Sequence, residues 1–497
     1  MRRRRADGRA RPSPFPGLRN DEGKAGHVIG LISGTSADGI DAAVVKLTAR
    51  GNGRPAATVV AFVDTPFAAG LRNRILSVAG GGAVGAAEIA ALDADLGEAF
   101  ARAALKAARA AKIEPARVLA IGSHGQTVHH APRARPRVTM QLGDPFVIAE
   151  RTGIAVVSDF RRRDVAAGGE GAPLTPIAHF DLFAQKGLAR AVQNLGGIGN
   201  VTVLPADAKP DGVFAFDTGP ANMILDGLVR AFTSGRTRYD KNGALSSRGE
   251  ADETLLSTLL EDPFYRAPPP KSTGRELFGR AYVKRLIDSA RRRGLTHADT
   301  LATAAELTAR SVAGSYRRFV LPRVKVEETL LCGGGIHNAD VVARLTRHLG
   351  ALGVAVKSTA DHGVDPDAVE AIAFAVLAFE TLRGRPGNVP RATGAAGPRV
   401  LGAIVPASLP ARSLRNPQSL TGARSMGYRS LRGRTLRRAH PGGDPARLRG
   451  HGGGRRTAGA AARGSPSRRG SRGDAGVPQG AVRHHVGDRC RGRPLAR

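Results

Sequence analysis

The chain has 497 residues, 41% of them hydrophobic, and a formal net charge of +33. No apolar run approaches the ~20 residues that span a bilayer, and the basic N-terminus lacks the apolar segment of a secretory signal. The two cysteines, Cys332 and Cys490, give no disulfide framework and fit a reducing cytoplasm.

In chain order, residues 1–26 carry eight Lys/Arg against three acids and read as a disordered basic extension or an over-extended start. An apolar run, His27 to Ile32, then breaks at Ser33-Gly34-Thr35-Ser36 and turns through Asp38-Gly39 into Ala42–Val45, the pattern of a β-hairpin. The turn is rich in hydroxyls and small residues and holds two acids, Asp38 and Asp41. Its backbone N–H groups can cradle phosphate and its acids can hold a metal ion, although an ordinary polar turn reads the same way. No Gly-Lys-Ser/Thr follows, so it is not a Walker A loop. A third strand is expected near Thr58–Val63 and an Ala-rich helix over Ala86–Ala111. The short buried strand Arg117–Gly122 delivers Ser123-His124-Gly125-Gln126-Thr127 at its end, where α/β proteins line clefts.

A helix opens after Gln141-Leu142-Gly143-Asp144-Pro145, and strand Ile154–Val157 leads into Ser158-Asp159-Phe160-Arg161-Arg162-Arg163-Asp164. The link Ala167–Gly171 has the composition of a hinge. Beyond it come helix Pro173–Phe183, strand Ala189–Gln193, the turn Asn194–Asn200, strands Val201–Leu204 and Val213–Phe216, and helix Ala221–Phe232. Loop-like stretches follow at Arg236–Ser246 and Ala267–Gly274. Helices are expected over Glu276–Arg292 and Asp299–Phe319, then strand Thr329–Cys332, the turn Gly333-Gly334-Gly335, and helices Ala339–Leu349 and Asp365–Leu382. Alternating strands and helices with hairpins predict mixed α/β sheets, and the glycine turns after strands at Gly34 and Gly196-Gly197 suggest a duplicated two-lobed plan. Residues 411–497 hold twenty-one Arg, three Asp and no Lys, Glu, Ile or Phe. Such a segment cannot bury enough apolar surface to fold. It reads either as a disordered nucleic-acid-binding tail or as GC-rich sequence out of frame. The second is favoured, because a selected basic tail would mix Lys with Arg, and nucleic-acid binding by it is not expected.

Three glycine turns after strands, at 34–39, 196–199 and 333–335, would let backbone approach a nucleotide closely. Asp217, at a strand end before Thr-Gly-Pro, is placed for a general base, a metal ligand or a helix N-cap. His124 and His129 lie on the other side of the expected cleft. Asp159, Arg161 and Asp164 form either a sugar-binding cluster or salt-bridged scaffold. Glu370, early in a helix, is explained equally by the helix dipole. His337 lacks zinc-ligand partners at metal-site spacing, and no Gly-x-Ser-x-Gly elbow stands at a strand–helix junction.

Nine ordered blocks, GTSADGID (34–41), GSHGQT (122–127), QLGDP (141–145), SDFRRRDVAAGGEGAPLTP (158–176), NLGGIGNVT (194–202), FDTGPANMILD (216–226), PPKSTGRELF (269–278), CGGGIHN (332–338) and DAVEAIAFA (367–375), resemble the anhydro-N-acetylmuramic acid kinase family from about residue 27 to Pro406. The resemblance implies a two-lobed actin-like ATPase fold of the ribonuclease-H-like type. Lobe 1 would span 27–165, completed by about 371–406, and lobe 2 would span 166–370, with 407–497 outside both. It implies a cytoplasmic kinase of peptidoglycan recycling that uses ATP, Mg²⁺ and water on a small anhydro amino sugar, is compatible with a homodimer, and binds no membrane. By resemblance, Gly34, Thr35, Ser36, Ala37, Asp38, Gly39, Ile40 and Asp41 form the ATP phosphate turn. Gly196, Gly197 and Asn200 form a second phosphate turn, and Gly333, Gly334 and Gly335 the adenosine side. Asp217 would be the catalytic base, and His124, Gln126, Asp159, Arg161, Asp164 and Glu370 would contact the sugar. No protein residue is assigned as a metal ligand. Ala37 stands where the family pattern leads us to expect a larger apolar residue, and Glu170 where it leads us to expect Gln.

Overall fold

Almost continuous apolar sequence over Ala25–Ser33 forms β1, buried on both faces, which is why it does not alternate. It pairs antiparallel with β2 (Gly39–Ala49), and β2 pairs with β3 (Pro55–Pro66). The computed structural model describes residues 25–34, 36–49 and 55–407, all within one unit, Met1–Leu420. Both basic ends and Thr35 lie outside the described residues.

β4 (Val118–Ala131) and β6 (Val156–Ser158) extend the β1 side in parallel, β5 (Val138–Leu142) folds back on β4, and β12 (Ala403–Val405) closes the edge on β6, giving the order β12-β6-β4-β1-β2-β3. The second sheet repeats the scheme. β7 (Arg190–Leu195), β8 (Ile198–Leu204) and β9 (Phe214–Pro220) form an antiparallel meander. β10 (Glu328–Cys332) and β11 (Ala355–Ser358) add in parallel beside β7, giving β11-β10-β7-β8-β9. The mixed α/β class and the doubled plan expected from the sequence are therefore present. Crossovers such as Ala86–Ala110 before β4 and His297–Ser315 before β10 supply the helices that parallel pairing requires.

One core lies between the sheets. It joins Val28, Ala43 and Leu47 of the first with Val192, Ala215 and Leu330 of the second, around the helices Pro176–Phe183 and Val369–Leu382. Two other cores cover the outer faces. The helix Val369–Leu382 presses close to the first sheet because Gly30 of β1 faces Gly122 of β4 beneath it. A Cβ on Gly30 would fall 1.8 Å from the Ala371 carbonyl oxygen, and one on Gly122 2.2 Å from that of Phe374. These strand glycines mark backbone approach, the usual reason for glycine inside a strand.

Most elements fall where expected, with three instructive shifts. The strand expected to end at Gly122 runs on to Ala131, so His124 and Gln126 sit within β4 rather than beyond it. The helix expected over Glu276–Arg292 is broken at Gly279 into Arg275–Phe278 and Arg280–Arg292. The last long helix begins at Val369, because Asp365–Ala368 form a turn closed by the Ala368 N–H on the Asp365 carbonyl, 3.1 Å.

Candidate active site

The β1–β2 turn is shaped by Ala37. Its φ of +53° is left-handed, its side chain is buried, and its N–H donates to the Gly34 carbonyl at 3.1 Å. The Asp38-Gly39 pair is thus not the left-handed centre that its sequence suggests. Gly39 is required for a different reason, since a Cβ there would lie 2.7 Å from the Thr65 carbonyl oxygen on β3. Gln126 supports the turn from β4. Its Nε2 donates to the Gly34 carbonyl (3.2 Å) and its Oε1 accepts from the Ser33 hydroxyl (2.6 Å). Arg72, which the sequence did not single out, pairs with Asp38 at 3.0 Å and donates to the Ser36 carbonyl at 3.2 Å. Ile40 points into the outer core. Asp41 faces Asp64 across the strands. Burial first, then the charges of Asp64, Glu370 and Asp367, push its carboxyl up to about 7.

The other two glycine turns meet each other. The Gly196 and Gly197 carbonyls accept the N–H groups of Asn222 (3.0 Å) and Ala221 (3.1 Å), which cap the helix Asn222–Phe232. Gly333, with φ +80°, lies so close to the end of β7 that a Cβ would meet Asn194 Oδ1 at 2.2 Å, and a Cβ on Gly335 would meet Leu195 Cβ at 2.6 Å. Gly334 stands 4.0 Å, by the same measure, from the Asn222 amide nitrogen. Asn194 also donates to Glu370 Oε1 at 3.0 Å, so Glu370, at the start of the central helix, stands beside both turns. Burial raises the Glu370 carboxyl, opposed by the Asn194 hydrogen bond and Arg161.

Asp217 lies within β9 opposite Asn200, not at the strand end expected from the sequence, because β9 runs on to Pro220 in register with β8. It is no helix cap: the adjacent helix starts at Asn222 and has no side-chain cap. Instead its N–H donates to the Lys271 carbonyl (3.1 Å) and its Oδ2 accepts from the Thr273 N–H (2.8 Å). Burial, followed by the negative charges of Glu170 and Glu276, pushes its carboxyl up to about 7 against the Thr273 hydrogen bond and Lys271. A carboxylate with that affinity for a proton is suited to general-base work near neutrality. The buried Lys271 ammonium donates to the Phe264 carbonyl (3.0 Å) and sits 4.4 Å from the Phe264 ring and 4.9 Å from that of Phe319. Burial lowers it to about 8. The sequence marked this segment only as a loop and a family block, because its contacts to Asp217 lie more than fifty residues apart.

On the first-sheet side, His124 Nδ1 donates to the Gly125 carbonyl (2.8 Å) and Nε2 accepts from Arg161 Nε (2.9 Å), an arrangement that fits a neutral imidazole. Burial and the Arg161 charge hold its pKa well below the usual histidine value. Arg161 also donates to the Gly171 carbonyl at 2.6 Å, and Glu370 is the first of the anions that offset its burial. Asp164 is fully buried, and its oxygens accept from Gly171 N–H (2.8 Å), Asn388 (2.7 Å) and Thr393 (2.8 Å), anchoring the C-terminal segment. Asp159 adopts a left-handed φ of +57° and pairs with Arg162 at 3.3 Å. Asp is among the residues that adopt that region most readily. The fold therefore links His124, Arg161, Glu370 and Asn194 in one chain of neighbours between the sheets, while Gln126 and Asp164 are engaged by protein groups.

A family model described as anhydro-N-acetylmuramic acid kinase matches residues 26–407. A relative of that name from Gloeobacter violaceus is 47% identical over 381 residues, covering 76% of this chain and 98% of the relative. One from Caldanaerobacter subterraneus is 44% identical over 383 residues, covering 76% and 96%. Among solved structures, a ROK hexokinase from Thermus thermophilus is 17% identical with a TM-score of 0.28, covering 71% of this chain and 97% of that one.

Proposed function

The chain belongs to the anhydro-N-acetylmuramic acid kinase family, and from that premise we propose that it uses ATP and water to convert 1,6-anhydro-N-acetylmuramic acid into N-acetylmuramic acid 6-phosphate and ADP, in the cytoplasmic recycling of cell-wall peptidoglycan. The observation that carries the mechanism is Asp217, held by the Thr273 N–H at 2.8 Å with its pKa pushed up to about 7. Its carboxylate takes a proton from a water that attacks C1 of the sugar. The C1–O6 bond breaks, and the O6 so released attacks the γ-phosphorus in line, expelling ADP. Because phosphoryl transfer consumes the charge on O6, no separate strong acid is needed.

We read the two sheets as two lobes. The first would run over 27–165 with 371–406, and the second over 166–370. The β1–β2 turn and the paired turns at Gly196-Gly197 and Gly333–Gly335 would hold the nucleotide, with backbone donors aimed at its phosphates. Glu370 and His124–Arg161 would orient the sugar beside Asp217, and lobe closure would exclude bulk water and limit ATP hydrolysis. Mg²⁺ would arrive with ATP. An ion of that kind keeps several waters and shares phosphate ligands rather than needing an all-protein cage. Asp41, whose carboxyl is raised by burial and then by the charges of Asp64, Glu370 and Asp367, is the side chain we read as facing the ion. Its chemistry there would be to neutralise charge on the phosphoryl group.

The test is a coupled assay of ADP release with the anhydro sugar beside N-acetylmuramic acid. Turnover with the anhydro sugar and phosphorylation of O6 are expected. Turnover confined to the ring-opened sugar would replace this reading with that of an ordinary sugar kinase.

A further inference from the structure

The link between the helix Phe160–Ala166 and the helix Pro176–Phe183 contains Glu170, whose side chain no step above uses. One carboxylate oxygen accepts from Arg133 Nε at 2.7 Å, on the β4–β5 connection of the first sheet. The other accepts the hydroxyl of Ser272, in the loop beside the second sheet. The Glu170 N–H donates to the Thr393 carbonyl at 2.7 Å, fixing the link to the C-terminal segment. Ser272 stands between the two residues that grip Asp217, Lys271 through its carbonyl and Thr273 through its N–H. One side chain thus ties the first sheet to the loop that holds the general base.

We infer that Glu170 is a positioning residue for Asp217: it clamps the Lys271–Thr273 loop to the first sheet through Ser272 and Arg133, and it sets a negative charge beside the base. The inference rests on the reading of Asp217 as that base. The groups facing Asp217 are few. Glu170 comes from the link, Lys271 from the loop, and Glu276 from the helix Arg275–Phe278, while Arg318 acts on Lys271 from the segment after the helix His297–Ser315. Opposite Asp217 on β8 stands the uncharged Asn200. Among these, Glu170 and Glu276 favour a bound proton on Asp217, and Lys271 disfavours it. Glu170 is also compensated, since Arg133 offsets its charge from the solvent side, where Arg133 is largely exposed. A glutamine there would keep the shape and an acceptor for Ser272 but remove the charge.

Two variants separate the clamp from the charge, and the pH dependence of kcat/KM is the readout that a merely structural residue would leave in place. Glu170→Gln is expected to move the acidic limb to lower pH by about half a unit or more, as expected for loss of a like charge near a carboxyl. An acidic limb at the wild-type pH in E170Q overturns the charge role. Ser272→Ala keeps the charge and cuts the tie. It is expected to lower kcat at least threefold, with the acidic limb unmoved and the KM for ATP unchanged. Wild-type kcat in S272A overturns the clamp. Wild-type enzyme assayed in parallel keeps the two readings apart: if it does not turn over the anhydro sugar at all, the proposed function fails rather than the role of Glu170.

Discussion

In the role proposed for it, Asp217 would combine two requirements that oppose each other, ionisation for catalysis and burial for water exclusion. Its pKa of about 7 is the compromise. Asp217→Asn should reduce turnover by about 10²–10⁴-fold while ATP still binds, measured by single-turnover assay and nucleotide titration; near-normal turnover would remove Asp217 from the mechanism. The same shift has a stability consequence. A carboxyl whose folded pKa lies above its unfolded value near 3.8 contributes stability that is complete below that value and lost as pH rises through about 7. D217N should therefore melt at a higher temperature than wild type at pH 8, with the difference closing towards pH 4. In that proposed role, ionisation of Asp217 should make wild-type kcat/KM climb with pH through about 7. Asp217 was legible as a candidate in the Asp-Thr-Gly-Pro after an apolar run, although β9 continues through those four residues to Pro220. Its tuning was not, because Lys271, Thr273 and Glu170 reach it from segments about fifty residues away, and no local pattern encodes that distance.

Among the elements, the central helix Val369–Leu382 shows how glycine placement sets a packing distance. Gly30→Ala should prevent or severely weaken folding, since its Cβ would sit 1.8 Å from a backbone oxygen that cannot rotate away. Soluble yield and thermal melting report this, and a wild-type melt would mean that the helix can shift on the sheet. A second joint is ionic. Glu306 on the helix His297–Ser315 accepts from Arg344 (2.9 Å), Arg347 (3.0 Å) and His348 (2.6 Å) of the helix Ala339–Gly350 and from its own Arg310 (3.0 Å). Burial acts to raise its pKa, but hydrogen bonds from Arg344, His348 and Arg310 prevail and hold it near 2. That contribution is present above the unfolded value of about 4.5 and is lost as pH falls through about 2. Glu306→Gln should cost about 3 kcal/mol in denaturant unfolding at pH 7, because it leaves several cations facing a neutral amide. Equal midpoints for E306Q and wild type would show that the cluster adds nothing. The long periodic helices and apolar strands were readable from composition. The short β11 was not, being four residues long and defined by the neighbour it pairs with.

At the scale of the molecule, β1, β2 and β4 of the first sheet pack on the central helix, β7 meets the start of that helix through the Asn194–Glu370 hydrogen bond, and every candidate site residue, from Gly34 to Glu370, falls within the 26–407 that the family model matches. A chain trimmed to residues 25–407 should therefore match the full chain in ADP release with the anhydro sugar. A large loss of activity on trimming would assign work to the basic ends. The sequence by itself determined the family, the mixed α/β class, the doubled plan and the three glycine turns, since these depend on local periodicity and on ordered motifs. Only the tertiary structure decided that Gln126 braces a turn, that Asp164 anchors the C-terminal segment, and that Glu170 joins the first sheet to the loop of Asp217. A side chain's partner is set by how sheets and loops converge in space, and that convergence is a property of the whole packed chain rather than of any stretch of it.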